Sequence, residues 1–120
     1  MFEVRIETSF SSAHHLLNYK GKCENAHGHN WKVEVVARGD ELDKSNILID
    51  FKVLKKHVNE IVEYLDHKDL NELPEFKDES PSSEFIARFI YKEAKKVFSQ
   101  IYRVNVWETS TSRASYFELD

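Results

Sequence analysis

The feature that most constrains this chain is a change in the period of its apolar residues. From Phe2 to Phe10, the even positions Phe2, Val4, Ile6, Thr8 and Phe10 alternate with Glu3, Arg5, Glu7 and Ser9, the two-residue period of a half-buried strand. A second alternation puts Trp31, Val33, Val35 and Ala37 on one face and Lys32, Glu34 and Arg38 on the other, until Gly39-Asp40 ends it. The period then lengthens. Phe51, Leu54, Val58, Ile61, Val62 and Leu65 recur at helical spacing behind Asp50, which can cap the first turn, and this predicts a helix over roughly 51–65. Ser80-Pro81 reads as a second helix start with Pro at the first position, and the apolar series from Phe85 to Ile101 predicts a helix longer than the first. Period two returns at Tyr102, Val104 and Val106, and a stretch around 115–119 can pair beside it.

The order ββααββ implies an α+β fold, an antiparallel sheet with two helices on one face. The other face then calls for a cover, and four short strands leave exposed edges of the kind that subunit pairing removes, so a homo-oligomer is expected. With 120 residues, 41% of them hydrophobic and 12% aromatic, the chain can build one core, and a single domain over 1–120 is expected. No apolar run exceeds three residues, which excludes a membrane-spanning helix. The start Met1-Phe2-Glu3-Val4-Arg5 lacks a secretory pattern, so a cytoplasmic location is expected. A formal charge of -4 argues against nucleic acid as a partner, because phosphate neutralisation needs the opposite sign.

Candidate chemistry lies where the first two strands approach each other. Residues two apart on an extended segment point the same way, so His27 and His29 can reach one ion, and Gly28 between them lets the backbone approach. His14 keeps the parity of Phe10 and Ser12, so on neighbouring strands the three imidazoles converge. Three neutral imidazoles with an open position make the usual catalytic zinc site, although a His-x-His pair by itself is also a common surface pattern. Cys23, the only cysteine, precedes His27 by four residues. It is a thiolate base or nucleophile near a cation, a fourth ligand of a closed site, or a small packed hydrophobe. Asp66-His67 places a carboxylate beside an imidazole at a helix end, where a cation is favoured in any case. Glu108 puts a carboxylate on the face of Val104 and Val106, where it could accept two hydrogen bonds from a planar amidine-like ligand edge. Lys22 and Arg113 are either contacts for anionic substrate groups or solvated charges.

Six ordered motifs then resemble one family along nearly the whole chain: Phe10-Ser11-Ser12-Ala13-His14, Cys23-x-x-x-His27-Gly28-His29, Ile49-Asp50-Phe51-x-x-Leu54-Lys55, Leu65-Asp66-His67-x-x-Leu70-Asn71, Pro81-Ser82-Ser83-Glu84 and Val106-x-Glu108-Thr109. Together they resemble the 6-pyruvoyl-tetrahydropterin synthase family. The three residues between Cys23 and His27 are similar to its bacterial branch, the 6-carboxy-tetrahydropterin synthases.

The resemblance implies the tunnelling fold, in which ββααββ units join as a barrel-forming trimer and two trimers stack as a hexamer. It implies that His14, His27 and His29 bind zinc and that Cys23 is the catalytic base. Asp66 and His67 assist from a neighbouring subunit, and Glu108 anchors the pterin. His15 is not implied as a ligand. The implied substrate is 7,8-dihydroneopterin triphosphate. The implied reaction is a carbon-carbon lyase step giving 6-carboxy-5,6,7,8-tetrahydropterin for queuosine and related deazapurines, with loss of triphosphate and acetaldehyde. Glu24 leaves a second outcome open, since a related branch uses a loop glutamate to release 6-hydroxymethyl-7,8-dihydropterin for folate synthesis. Formation of 6-pyruvoyl-tetrahydropterin is a third. A non-enzymatic reading, a pterin-binding oligomer with a structural Cys1His3 zinc site, is disfavoured by the joint presence of Cys23, Asp66, His67 and Glu108.

Overall fold

The structure, a computed structural model, describes residues 1–19 and 25–119. Two long strands, β1 (Phe2–His14) and β2 (His27–Gly39), pair antiparallel with His14 opposite His27, Ser12 opposite His29 and Phe10 opposite Trp31. Strand β3 (Ile101–Thr109) sets Val106 opposite Val33 and Val104 opposite Val35, and β4 (Ser112–Tyr116) completes a sheet in the order β1-β2-β3-β4. This register puts the even residues of β1 and β3 on the same face as the odd residues of β2, so the three alternations add to one apolar surface. Ile6, Phe10, Trp31, Val33, Val35, Val104 and Val106 are all buried there.

Helices α1 (Phe51–Leu65) and α2 (Ser83–Lys95) cover that face. Leu54, Val58, Ile61, Val62 and Leu65 of α1 and Ile86, Ile90 and Ala94 of α2 join the sheet residues in one core. Asp50 caps α1 as its sequence position suggests, accepting from the Lys52 N–H at 2.8 Å. Helix α2 departs from expectation at both ends. Ser82 is its N-cap, accepting from the Phe85 N–H at 3.1 Å, so Pro81 stands before the helix. At the other end Lys95 Nζ donates to the carbonyls of Ser99 and Ile101, the chain turns, and Ile101 opens β3. The helix is therefore 13 residues long against 15 for α1, and the apolar series that runs on to Ile101 reflects core packing by a turn and a strand.

The helix-free face is polar. A network crosses all four strands: Arg5 donates to Glu34, Asn105 Nδ2 donates to Glu34 Oε1 at 2.6 Å, and Ser115 donates to Asn105 Oδ1 at 2.5 Å. The cover anticipated from the sequence is not required by apolar surface here; among the described residues, the outer edges of β4 and of β1 ahead of Ser11 have no strand beside them. No helix among the described residues is long and apolar enough to cross a membrane.

Candidate functional site

At the end of the core face where β1 and β2 finish, the strand parity that buries Phe10 and Trp31 also turns His14, His27 and His29 inward. Trp31 forms the floor. It is fully buried, donates its indole N–H to the Ser12 carbonyl at 3.2 Å, and meets the rings of His14 and His29 edge-on at 4.8 and 5.3 Å. Glu108 arrives from β3 on the parity of Val104 and Val106, beside a register shift between Trp107 and Thr109. Its Oε1 lies 2.9 Å from His14 Nε2, 3.0 Å from His29 Nε2 and 3.8 Å from His27 Nε2. The Nε2 atoms of His14 and His27 are 3.1 Å apart.

One ligand atom from each of these four residues falls within 4.8 Å of all the others. The donor set fits a zinc ion, whose nitrogen and oxygen ligands at 2.0–2.1 Å in a tetrahedron stand about 3.3 Å from one another. Two further observations agree. The buried His29 Nε2 finds no hydrogen-bond partner among the described residues although Glu108 is close. Burial also pushes the His29 pKa down, against the opposing pull of Glu108, and so favours the neutral imidazole that a metal needs. His14 donates from Nδ1 to the Pro81 carbonyl at 2.8 Å, which leaves its Nε2 toward the cluster.

Glu108 also borders a cleft of about 390 Å³ lined by Ser83, Glu84, Ser112, Arg113, Ala114 and Ser115, so a single carboxylate faces both the histidines and a space open to solvent. Arg113 lines this cleft with its guanidinium 5.5 Å from the Trp107 ring. Asp66 and His67 lie elsewhere. They follow α1, with Asp66 Oδ1 accepting from the Ser11 N–H at 2.8 Å and Asp66 Oδ2 lying 2.9 Å from His67 Nδ1. The His67 side chain is 81% exposed, and no contact among the described residues joins it to the histidine cluster. Cys23, Glu24 and Lys22 lie outside the described residues. At Gly28 an added Cβ would meet no described atom within 4 Å.

The sequence gives Ser80 and Pro81 only the role of a helix start and Asn71 none, whereas the structure uses all three as hydrogen-bond partners of the end of β1. Asn71 Oδ1 accepts from the His15 N–H at 2.9 Å and Ser80 Oγ from the Leu17 N–H at 2.7 Å. The one signal available was the position of Asn71 and Pro81 within recurring motifs.

A helix-backed antiparallel sheet with three histidines and a carboxylate gathered at one end of its core face defines an α+β protein built around a cation-compatible donor cluster. The 6-pyruvoyl tetrahydropterin synthase family model matches residues 3–118. The 6-carboxy-5,6,7,8-tetrahydropterin synthase of Synechocystis sp. is 37% identical, covering 98% of this chain and 94% of its own. The human 6-pyruvoyl tetrahydrobiopterin synthase is 34% identical over 95% of this chain and 90% of its own. The structure of the Caenorhabditis elegans 6-pyruvoyl tetrahydropterin synthase superposes with a TM-score of 0.87 at 29% identity, covering 98% of this chain and 96% of that one. The chain belongs to the 6-pyruvoyl tetrahydropterin synthase family of enzymes and has its tunnelling fold.

Proposed function

We propose that the protein is a 6-carboxy-tetrahydropterin synthase. It converts 7,8-dihydroneopterin triphosphate and one water to 6-carboxy-5,6,7,8-tetrahydropterin, triphosphate and acetaldehyde, in the synthesis of queuosine and related deazapurines. The observation that carries this reading is the meeting of the His14, His27 and His29 nitrogens with Glu108 at the rim of a cleft. The three-residue spacing of Cys23 and His27 and the Synechocystis relative favour the carboxy product over the pyruvoyl one.

In this reading His14, His27 and His29 hold zinc, and Glu108 turns from the cluster toward the cleft. A bound zinc ion supplies positive charge that eases ionisation of the substrate's side-chain hydroxyls and acidifies the neighbouring C–H bonds. The Glu108 carboxylate accepts two parallel hydrogen bonds from the 2-amino group and adjacent ring N–H of the pterin, which fixes the ring and hence the side chain. The Cys23 thiolate takes a proton from that side chain.

Asp66 and His67 move protons in a neighbouring subunit's site, within a homohexamer assembled as two trimers. The single chain supports this division, because His67 is held at φ 53 by its N–H to the Ser11 carbonyl, and its ring points out to solvent. A non-glycine residue held there is strained by roughly 1–3 kcal/mol, a cost consistent with an outward-facing functional ring.

Incubating the zinc-loaded protein with 7,8-dihydroneopterin triphosphate and identifying the released pterin by mass spectrometry tests the reading. The expected product is the 6-carboxy compound together with acetaldehyde. Release of 6-hydroxymethyl-7,8-dihydropterin or 6-pyruvoyl-tetrahydropterin as the main product overturns it.

A further inference from the structure

The outer edge of β1 is closed, over its last turns of pleat and just beyond, by groups that do not belong to a strand. Residues two apart on an extended chain show their N–H and C=O to the same edge, so Ser11, Ala13 and His15 form one row, and Leu17 follows it in a bend. Each position in the row is filled. Ser11 donates to Asp66 Oδ1 at 2.8 Å and accepts from the His67 N–H at 2.6 Å, and Ala13 donates to the Lys68 carbonyl at 3.0 Å. His15 donates to Asn71 Oδ1 at 2.9 Å and accepts from Asn71 Nδ2 at 3.0 Å. Leu17 donates to Ser80 Oγ at 2.7 Å, and its carbonyl lies 3.3 Å from the same hydroxyl.

His14 stands between Ala13 and His15 at a vulnerable place. It is the last residue of β1 and its pair with His27 is the last rung of the β1–β2 ladder, a position that frays when nothing holds it. Asn71 grips the very next residue by both its N–H and its C=O. A side-chain amide is suited to that, since it carries a donor and an acceptor side by side as a neighbouring strand would. Ser80 repeats the grip two residues on, and the residue after it, Pro81, offers its carbonyl to His14 Nδ1 at 2.8 Å. The segment between the helices thus fixes both the backbone and the ring of an enclosed imidazole that is 2% exposed.

We propose that Asn71 and Ser80 are positioning residues for metal binding, acting through His14: they stand in for a missing strand and hold its Nε2 at the cluster. The proposal rests on the zinc reading given above. It assigns no contact with zinc or substrate to either residue. Loss of the support behind a ligand typically lowers metal affinity tenfold to a hundredfold.

The test is a zinc titration of the full chain against a chromophoric chelator, with the visible spectrum of the cobalt-substituted protein recorded in parallel. Asn71→Ala and Asn71→Asp are expected to lower zinc affinity about tenfold or more, because aspartate cannot donate to the His15 carbonyl, and to shift the cobalt bands. Ser80→Ala is expected to weaken zinc severalfold and carries the test if the Asn71 variants do not fold. Val58→Ala, which empties space in the core at a residue of 0% exposure on α1, serves as the control: it should lower thermal stability while keeping zinc affinity within about twofold. Wild-type zinc affinity and cobalt spectrum in folded Asn71→Ala or Ser80→Ala overturn the positioning role and leave the zinc reading standing. Failure of the wild-type chain to bind zinc overturns both.

Discussion

His14 and His27 are directly opposed on β1 and β2, and their Nε2 atoms lie 3.1 Å apart over the buried Trp31. Two unprotonated imidazole nitrogens repel at that distance, so the arrangement needs either a shared proton or a shared cation. Glu108 and His29 Nε2, which has no hydrogen-bond partner among the described residues, complete a set that suits the cation.

Replacing His27 and His29 together by Ala should remove most bound zinc, since one imidazole and one carboxylate make a far weaker site than three imidazoles. Metal analysis after dialysis measures this, with one zinc per chain expected for the wild type. Full occupancy in the double variant would show that the ion sits elsewhere.

Glu108→Gln separates the two faces of that carboxylate. If three imidazoles hold the metal, the variant keeps its zinc. It should still lose pterin affinity, because one end of a glutamine amide meets a ring N–H with another donor. Loss of a buried charge-assisted pair costs about 2 kcal/mol or more, so binding should weaken at least roughly thirtyfold by fluorescence or calorimetric titration. Unchanged pterin affinity in the zinc-loaded variant would assign ring recognition to another residue.

The parts of this fold that repeat were legible in the sequence. Alternation from Phe2 onward, its echo at Trp31 and the helical spacing from Phe51 specified strands, helix and shared face, and the same parity brought His14, His27 and His29 together once β1 and β2 paired. Singular contacts left no such trace. The N-cap at Ser82 rather than a start at Pro81, and the lysine-capped turn after α2, each depend on one hydrogen-bond geometry, with apolar residues continuing through it. Asn71 and the Pro81 carbonyl act across 56 and 67 positions of sequence, a distance over which no periodic pattern reports.

Asp66 predicts a pH effect. The Ser11 N–H first, and His67 second, hold its carboxyl below the ordinary aspartate range. A native pKa below the unfolded one stabilises the fold when the group is ionised. That contribution is complete above about pH 5, where the unfolded carboxyl is also ionised, and is lost as pH falls through the lowered native value. In metal-free protein, where zinc release plays no part, Asp66→Asn should therefore lose less stability than wild type between about pH 5 and 3, as read from urea midpoints. Parallel curves would show that the Ser11 contact carries no net stabilisation.

The exposed His67 makes the strongest prediction about assembly. Its ring does not reach the histidine cluster of its own chain, so under the proposed function it completes a site on a neighbour, and light scattering should give about six times the 14.2 kDa chain mass. His67→Ala keeps the cluster but lacks the relay, whereas His29→Ala keeps the relay but lacks a complete cluster, and each alone should be nearly inactive. Refolded together in equal amounts, they form mixed rings in which about one site in four draws an intact cluster from one variant and an intact His67 from the other. Activity should then recover to about a quarter of the wild-type value per site. A mixture as inactive as its components, with mixed hexamers verified by native mass spectrometry, would place His67 and the cluster in the same chain's site or remove His67 from the reaction.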